Sequence, residues 1–178
     1  MGVGKSTLGR YLANSLRYKF VDTDELIESR AGRPISEIFA SDGEEYFRQL
    51  ERNLVEEMSS WTRTVISTGG GLVTKSDNLD VLKSYSFVVC LWASPETIYL
   101  RVKRQQHRPL LNTPDPLATI TELLDQRAGF YKRSDLIVVT DQRPLRLVAQ
   151  LVSRQFFEAL NKGKQAKASL PKDGSHGQ

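Results

Sequence analysis

Apolar side chains recur along the chain in two patterns, which predict helices and buried strands in alternation. A helical pattern of apolar positions three or four residues apart predicts helices at 7–16, 25–29, 35–39, 44–58, 76–83, 95–106, 115–132 and 144–160. Short runs predict strands at 18–22, 64–67, 87–92 and 136–139, and the unalternating run at 64–67 suits a parallel strand covered on both faces. This alternation predicts an α/β fold, a parallel sheet flanked by helices and joined by right-handed crossovers.

Ligands of such sheets bind where the strands end at their carboxyl termini. The loops at residues 2–4, 22–24 and 69–71 are therefore expected on one edge of the sheet. The segment 105–116 is polar and interrupted by proline, so it predicts a mobile lid loop. Residues 162–178 are rich in Lys, Gly, Ser and Pro and predict a disordered tail after a single domain at 1–161.

Composition limits the possible partners of this domain. The chain has 178 residues, no apolar run long enough for a membrane span, and a net charge of +4. Four lysines and one aspartate give the segment 162–178 a charge of +3, so the domain is almost neutral and nucleic acid is not an expected partner. A single cysteine, Cys90, excludes an internal disulfide and suggests a cytoplasmic location. A plastid location stays open if an upstream targeting segment has been lost.

The first residues have the types that a phosphate-binding loop requires. Gly2 and Gly4 permit a tight turn of the backbone around an anion, and the helix that follows adds the positive end of its dipole. Lys5 would reach the β- and γ-phosphates of a nucleotide, and the hydroxyl of Ser6 would bind Mg²⁺. The predicted ATP-binding residues here are Gly2, Val3, Gly4, Lys5, Ser6 and Thr7. The alternative is an ordinary helix N-terminus.

The complete phosphate-loop motif has another glycine five residues before Gly4 and a buried strand before that glycine. The sequence begins inside this loop. We expect a slot between neighbouring strands where that strand would lie. A start codon assigned to an internal methionine would explain the difference; a chain that truly began at Met1 would have low stability and bind ATP weakly.

Two pairs of charged residues could carry chemistry. Asp22 and Asp24 follow a strand, so one could hold Mg²⁺ and the other could orient a hydroxyl or accept its proton; the alternative is that Asp24 caps a helix. Arg48 and Glu51 are three residues apart on a helix. Glu51 could hold the Arg48 guanidinium for a bidentate grip on a carboxylate, or the two could form an exposed ion pair.

Three further features complete the candidate set. Gly69, Gly70 and Gly71 end a buried strand, and three glycines favour a close approach of the backbone to a ligand over a plain turn. Arg108 lies in the predicted lid loop, where it could neutralise a transferring phosphoryl group or simply be solvated. Arg127 could be a binding residue or a helix-face charge.

Taken in order, these motifs resemble the shikimate kinase family over residues 1–160. The motifs that carry the resemblance are Gly-Val-Gly-Lys-Ser at 2–6, Phe-Val-Asp-Thr-Asp at 20–24, Gly-Glu at 43–44 with Phe-Arg at 47–48 and Glu51, Ser-Thr-Gly-Gly-Gly at 67–71, Arg-Pro-Leu-Leu at 108–111, and Arg127 with Tyr131. The resemblance implies a P-loop NTPase-type sheet of five parallel strands, the first of which is missing here. It also implies phosphorylation of the 3-hydroxyl of shikimate by MgATP, in the pathway to chorismate and the aromatic amino acids.

The resemblance implies a role for each residue. Lys5 and Arg108 would stabilise the transferring phosphoryl group, and Asp24 would bind the shikimate hydroxyls and act as base. Ser6 and Asp22 would hold the metal ion, and Arg104 and Arg143 would flank the adenine. The residues implied to bind the substrate are Arg48, Gly69, Gly70, Gly71 and Arg127. The expected state is a monomer that binds no membrane. The alternatives are a non-catalytic binding relative and a related kinase such as gluconate kinase.

Overall fold

The computed structural model describes residues 2–74, 77–103 and 113–168, with side chains as far as residue 163. Helices and strands alternate along this part of the chain, as the pattern predicts. They are α1 (Lys5–Leu16), β1 (Lys19–Asp22), α2 (Thr23–Ala31), α3 (Ile35–Met58), β2 (Thr64–Ser67), α4 (Asn78–Tyr85), β3 (Val89–Trp92), α5 (Pro95–Val102), α6 (Pro116–Tyr131), β4 (Leu136–Val139) and α7 (Leu145–Ala168).

The strands pair in parallel, in two separate pairs within the described residues. Strand β1 pairs with β2, with Lys19 opposite Thr64 and Asp22 opposite Ser67. Strand β3 pairs with β4, from Val89 opposite Leu136 to Trp92 opposite Val139. A cavity open to solvent is lined both by the loop that follows β2 and by β3. The two pairs are not hydrogen-bonded to each other in the described ranges, and the slot expected between neighbouring strands stays a prediction.

The core consists of three apolar clusters that attach the helices to these strands. The first joins α2 and α3 to α4 through Ile27, Ile38, Phe47, Leu54, Val55, Met58, Leu72 and Leu82. The second joins α1, β4 and α7 through Leu8, Leu12, Val138, Val148, Ala149 and Val152. The third joins the first loop to α5 and α6 through Val3, Ala93, Ile98, Val102 and Ile120.

Several element boundaries follow from local chemistry. The two helices predicted at 35–39 and 44–58 are both present in α3, and they meet at a kink where Gly43 has non-helical φ and ψ of 84° and 173°. Glycine is suited to this position because other residues rarely adopt positive φ. Ser94 caps α5 by accepting a hydrogen bond from the Thr97 amide, and Pro95 opens the helix as predicted.

The prediction of a disordered tail from residue 162 is wrong as far as Ala168. Helix α7 continues to that residue, past the predicted end at Leu160. The stretch is rich in Lys, Gln and Ala, which have high helix propensity, so the helix extends in spite of Gly163. The rest of the tail, and residues 105–112 of the predicted lid loop, lie outside the described residues. No helix in the described ranges combines the length and apolar character that crossing a bilayer requires.

Candidate active site

The first loop has the backbone conformation that a phosphate cradle needs. Gly2 and Gly4 have φ values of 64° and 93°, and Gly4 precedes the first turn of α1. A Cβ at Gly2 would lie 2.7 Å from a methyl group of Val102, so both space and conformation favour glycine there. The side chain of Val3 is buried in the core, which leaves only its backbone for a ligand. Thr7 is exposed on the first helical turn.

Ser6 and Asp22 lie together between this loop and the end of β1. The Ser6 hydroxyl donates to Asp22 Oδ2 at 2.8 Å and lies 3.4 Å from the Ser67 hydroxyl. The other oxygen of Asp22 accepts a hydrogen bond from the Asp24 amide at 3.2 Å. Asp22 is therefore the N-cap of α2. The alternative in which Asp24 is the cap is wrong, because the helix begins at Thr23.

Asp24 belongs to the first turn of α2, whereas Asp22 is the last residue of β1. The two carboxylates are nevertheless close enough to interact. Burial raises the pKa of Asp24 above its usual 3.8, the charge of Asp22 raises it further, and Lys5 acts in the opposite direction. A carboxylate with a raised pKa is a better proton acceptor than an ordinary aspartate.

Arg48 is held by two carboxylates of its own helix. Its Nη1 donates to Glu51 at 2.7 Å, while its Nε and Nη2 donate to Glu44 at 3.1 and 2.9 Å. The Glu51 side chain is buried, with a residue exposure of 2%, so the alternative of an exposed ion pair is wrong. Burial raises the pKa of Glu51, and the Arg48 guanidinium opposes this shift.

The triple-glycine loop is where the candidate residues meet. A Cβ on Gly69 would lie 2.7 Å from Asp24 Oδ1, and a Cβ on Gly71 would lie 2.9 Å from Arg48 Nη1. Neither glycine has a positive φ, so the requirement is for space. The third glycine, Gly70, accepts a hydrogen bond from the Tyr131 hydroxyl at 3.0 Å. The close approach of Asp24 and Arg48 explains why Gly69 and Gly71 lack side chains, and approach of the loop to a ligand stays a prediction.

The register of β1 and β2 brings the residues that follow the two strands together. Asp22 lies opposite Ser67 in the parallel pair of β1 and β2, so the residues that follow each strand are neighbours. The amide of Gly69 accordingly donates to the Thr23 hydroxyl at 3.2 Å. Thr23 is completely buried.

The cavity beside the glycine loop brings further candidates together. Lys5, Gly69, Gly70 and Arg127 all line it, so Arg127 does not lie on an unrelated helix face. The phenol of Tyr131 lies beside Arg127; burial raises the pKa of Tyr131, and Arg127 acts in the opposite direction.

Arg143 does not join this group. It is exposed in the turn before α7 and does not line the cavity. Arg104 and Arg108 lie outside the described residues.

Sequence reasoning missed two supporting contacts. Glu44 is four residues before Arg48, a spacing that favours an ion pair on a helix and could have indicated the second carboxylate. Thr23 had no such signal, because its partner Gly69 is 46 residues away.

Known proteins resemble this chain in both sequence and structure. The family model described as shikimate kinase matches residues 1–158. A shikimate kinase of Deinococcus radiodurans is 41% identical over 173 residues, which cover 97% of this chain and 87% of that protein. The structure of Acinetobacter baumannii shikimate kinase in complex with shikimate has a TM-score of 0.82 and 34% identity, with 89% of each chain covered.

A gluconokinase of Sinorhizobium meliloti has a TM-score of 0.59 and 18% identity, with 93% of this chain and 92% of that chain covered. At this identity the likeness concerns the fold alone. The family model and the Deinococcus radiodurans protein match this chain in sequence, and the Acinetobacter baumannii structure matches it in both fold and sequence. This chain therefore belongs to the shikimate kinase family.

Proposed function

We propose that this protein transfers the γ-phosphoryl group of ATP to the 3-hydroxyl of shikimate, in the pathway to chorismate and the aromatic amino acids. The observation that carries the proposal is the triple-glycine loop. Its glycines are in close contact with Asp24 and Arg48, while the same loop lines a cavity with Lys5 and Arg127. Lys5 and Arg127 thus face the cavity that Gly69 and Gly70 line, while Asp24 and Arg48 approach the same loop at Gly69 and Gly71.

The nucleotide would bind at the N-terminus of α1. Amide groups of residues 2–7 would surround the β- and γ-phosphates, with the helix dipole favouring their negative charge. Lys5 lines the cavity and would pair with the transferring group. The implied participants are Gly2, Val3, Gly4, Lys5, Ser6 and Thr7.

Ser6 and Asp22 are suited to Mg²⁺, because this ion prefers hard oxygen ligands and keeps several waters. Their side-chain oxygens are 2.8 Å apart and belong to different elements, α1 and the end of β1. When bound, the ion would neutralise phosphate charge. Asp22 also holds the Asp24 amide, so the residue that would bind the ion also orients the helix that carries Asp24.

The acceptor would lie against the glycine loop. Arg48 and Arg127 would hold its carboxylate, and the backbone of Gly69–Gly71 would contact it. Asp24 would bind its hydroxyls and take the proton as the new bond to phosphorus forms. Phosphoryl transfer depends mainly on positioning and charge neutralisation, which suits a site built from carboxylates, cations and backbone amides.

We further propose that Arg108 neutralises charge at the transferring group and that Arg104 and Arg143 flank the adenine. These three roles rest on the family resemblance. The protein would act as a cytoplasmic monomer.

The test is a coupled assay of ADP release with MgATP and a panel of acceptors. We expect release that depends on shikimate, with shikimate 3-phosphate identified by mass spectrometry. Transfer to gluconate instead would favour the related kinase. Trp92 lines the cavity, so its fluorescence can report binding. Binding of shikimate without transfer at saturating MgATP would overturn the proposal in favour of a non-catalytic relative.

A further inference from the structure

Each carbonyl of the triple-glycine loop is hydrogen-bonded within the protein. The Gly69 carbonyl accepts from the Leu72 amide at 3.3 Å, and the Gly71 carbonyl accepts from both the amide and the hydroxyl of Thr74 at 3.1 and 2.9 Å. These partners are three residues away. The Gly70 carbonyl differs, because its donor is the hydroxyl of Tyr131, 61 residues away on α6. This bond therefore ties the loop to another element.

The bond also determines where a neighbouring amide points. The Gly70 carbonyl and the Gly71 N–H belong to one planar trans peptide, so they point in opposite directions. A hydroxyl that holds the carbonyl towards α6 therefore turns the Gly71 N–H away from α6. Among the residues that the structure describes, no protein acceptor is hydrogen-bonded to the N–H of Gly70 or Gly71. Both amides remain available to a ligand.

Tyr131 and Arg127 lie four residues apart on α6, and neighbours at this spacing share one helix face. The Tyr131 bond consequently links the glycine loop to the element that carries one arginine. The loop itself lies close to the other arginine, since Arg48 Nη1 is 2.9 Å from where a Cβ of Gly71 would be. A shift of the loop would change the separation of Arg48 from Arg127.

We propose that Tyr131 is a positioning residue for the acceptor. Its hydroxyl ties the Gly70 carbonyl to α6, and this sets the Gly71 N–H and the distance between Arg48 and Arg127 to suit one carboxylate. The inference rests on the proposed function. Burial raises the pKa of Tyr131, which keeps its phenol protonated and able to donate at neutral pH.

A second tyrosine provides a matched control. The Tyr85 hydroxyl donates to the Val55 carbonyl at 2.6 Å, also part-buried, and this bond does not involve the glycine loop. Tyr85→Phe and Tyr131→Phe therefore remove the same kind of bond, a phenol to a backbone carbonyl. A purely structural role would make the two variants alike.

The experiment compares both variants with wild type in unfolding by urea and in the KM for shikimate, the KM for ATP and kcat. Both should lose stability. Tyr131→Phe should raise the KM for shikimate about tenfold, which corresponds to about 1.4 kcal/mol. It should leave kcat and the KM for ATP within about twofold of wild type, because the bond acts on acceptor binding. Tyr85→Phe should leave all three constants within the same range.

An active wild type with a Tyr131→Phe variant whose shikimate KM stays within about twofold overturns the inference alone. A wild type that releases no ADP with shikimate overturns the proposed function, and the inference with it. If Tyr131→Phe does not fold, hydrogen exchange on wild type replaces it. Shikimate should then slow exchange in peptides covering 68–74 and 127–131 together, and protection of only one of them contradicts the link.

Discussion

Replacing Glu51 by glutamine separates the stability of a buried ion pair from its function. Glu51 is 2% exposed and accepts a hydrogen bond from Arg48 Nη1 at 2.7 Å. A hydrogen bond to a charged group contributes about 1.5–3 kcal/mol, whereas burying a carboxylate costs several kcal/mol. Burial raises the pKa of Glu51 in spite of Arg48, which means that the cost exceeds the gain. Glutamine keeps an acceptor oxygen and removes the buried charge.

We therefore expect Glu51→Gln to be as stable as wild type at pH 7, or more stable by about 1–2 kcal/mol. The folded-state pKa lies above the ordinary value of 4.5, so wild type loses stability as the pH rises from 4.5 through that pKa. Glutamine does not titrate, so the advantage of the variant should appear over this range and vanish below it. Urea unfolding at several pH values measures this.

Binding of shikimate should become weaker in Glu51→Gln, even though the variant is at least as stable as wild type. Without the charge of Glu51, Arg48 keeps only Glu44 as a strong partner, and its guanidinium can turn away from Gly71. We expect the KM for shikimate to rise about tenfold, or about 1.4 kcal/mol. The KM for ATP should stay the same.

Glu57→Gln is the control on the same helix. Glu57 pairs with Arg30 at the surface, and the hydrogen bond from Arg30 lowers the pKa of Glu57. This variant should be less stable at pH 7 by less than about 1 kcal/mol, and the deficit should disappear as the pH falls through the lowered pKa. The reasoning is refuted if Glu51→Gln loses more than about 3 kcal/mol at pH 7, since the buried pair would then be net stabilising.

Four other changes test the site. Arg48→Ala should raise the KM for shikimate, measured in the coupled assay, while an equal rise in the KM for ATP would contradict its assignment to the acceptor. Asp24→Asn should lower kcat about 10²–10⁴-fold, and the wild-type rate should fall on the acid side around a pKa above 3.8, because the base must be deprotonated. Gly71→Ala should raise the KM for shikimate because its Cβ would meet Arg48 at 2.9 Å, whereas Gly129→Ala, a helical control with nothing within 4 Å, should gain up to about 1 kcal/mol in urea unfolding. Ser6→Ala should raise the Mg²⁺ concentration that half-saturates the rate; an unchanged value would remove Ser6 from the metal site.

The sequence predicted the elements well where their signal is local. The apolar stripe of α1 and the uninterrupted run of β4 depend on neighbours within a few residues, and both elements lie where the pattern indicates. Helix α7 runs further than predicted, because composition was interpreted as disorder where helix propensity prevails.

Contacts across long separations were predictable only in part. The motif order predicted that Asp24, Arg48 and the glycines belong to one site, and the structure brings them into contact. The same order could not show that Asp22 caps α2, because capping depends on where the helix begins. Nor could it pair Tyr131 with Gly70. The acceptor is a backbone carbonyl, which every residue type has, so the sequence does not indicate which residue the Tyr131 hydroxyl contacts.

The register of β1 and β2 determines which residues lie beside the glycine loop, where we propose that the acceptor binds. Asp22 faces Ser67, and Ser6 reaches both of them, with its hydroxyl 2.8 Å from Asp22 and 3.4 Å from Ser67. A slip of one residue would move the strands by about 3.3 Å and turn each side chain to the other face. The Ser6 contacts and the bond from Gly69 to Thr23 would both be lost, and Asp24 would no longer lie against Gly69. The chemistry therefore depends on strand pairing as directly as on the charged residues, because register determines which atoms those residues can reach.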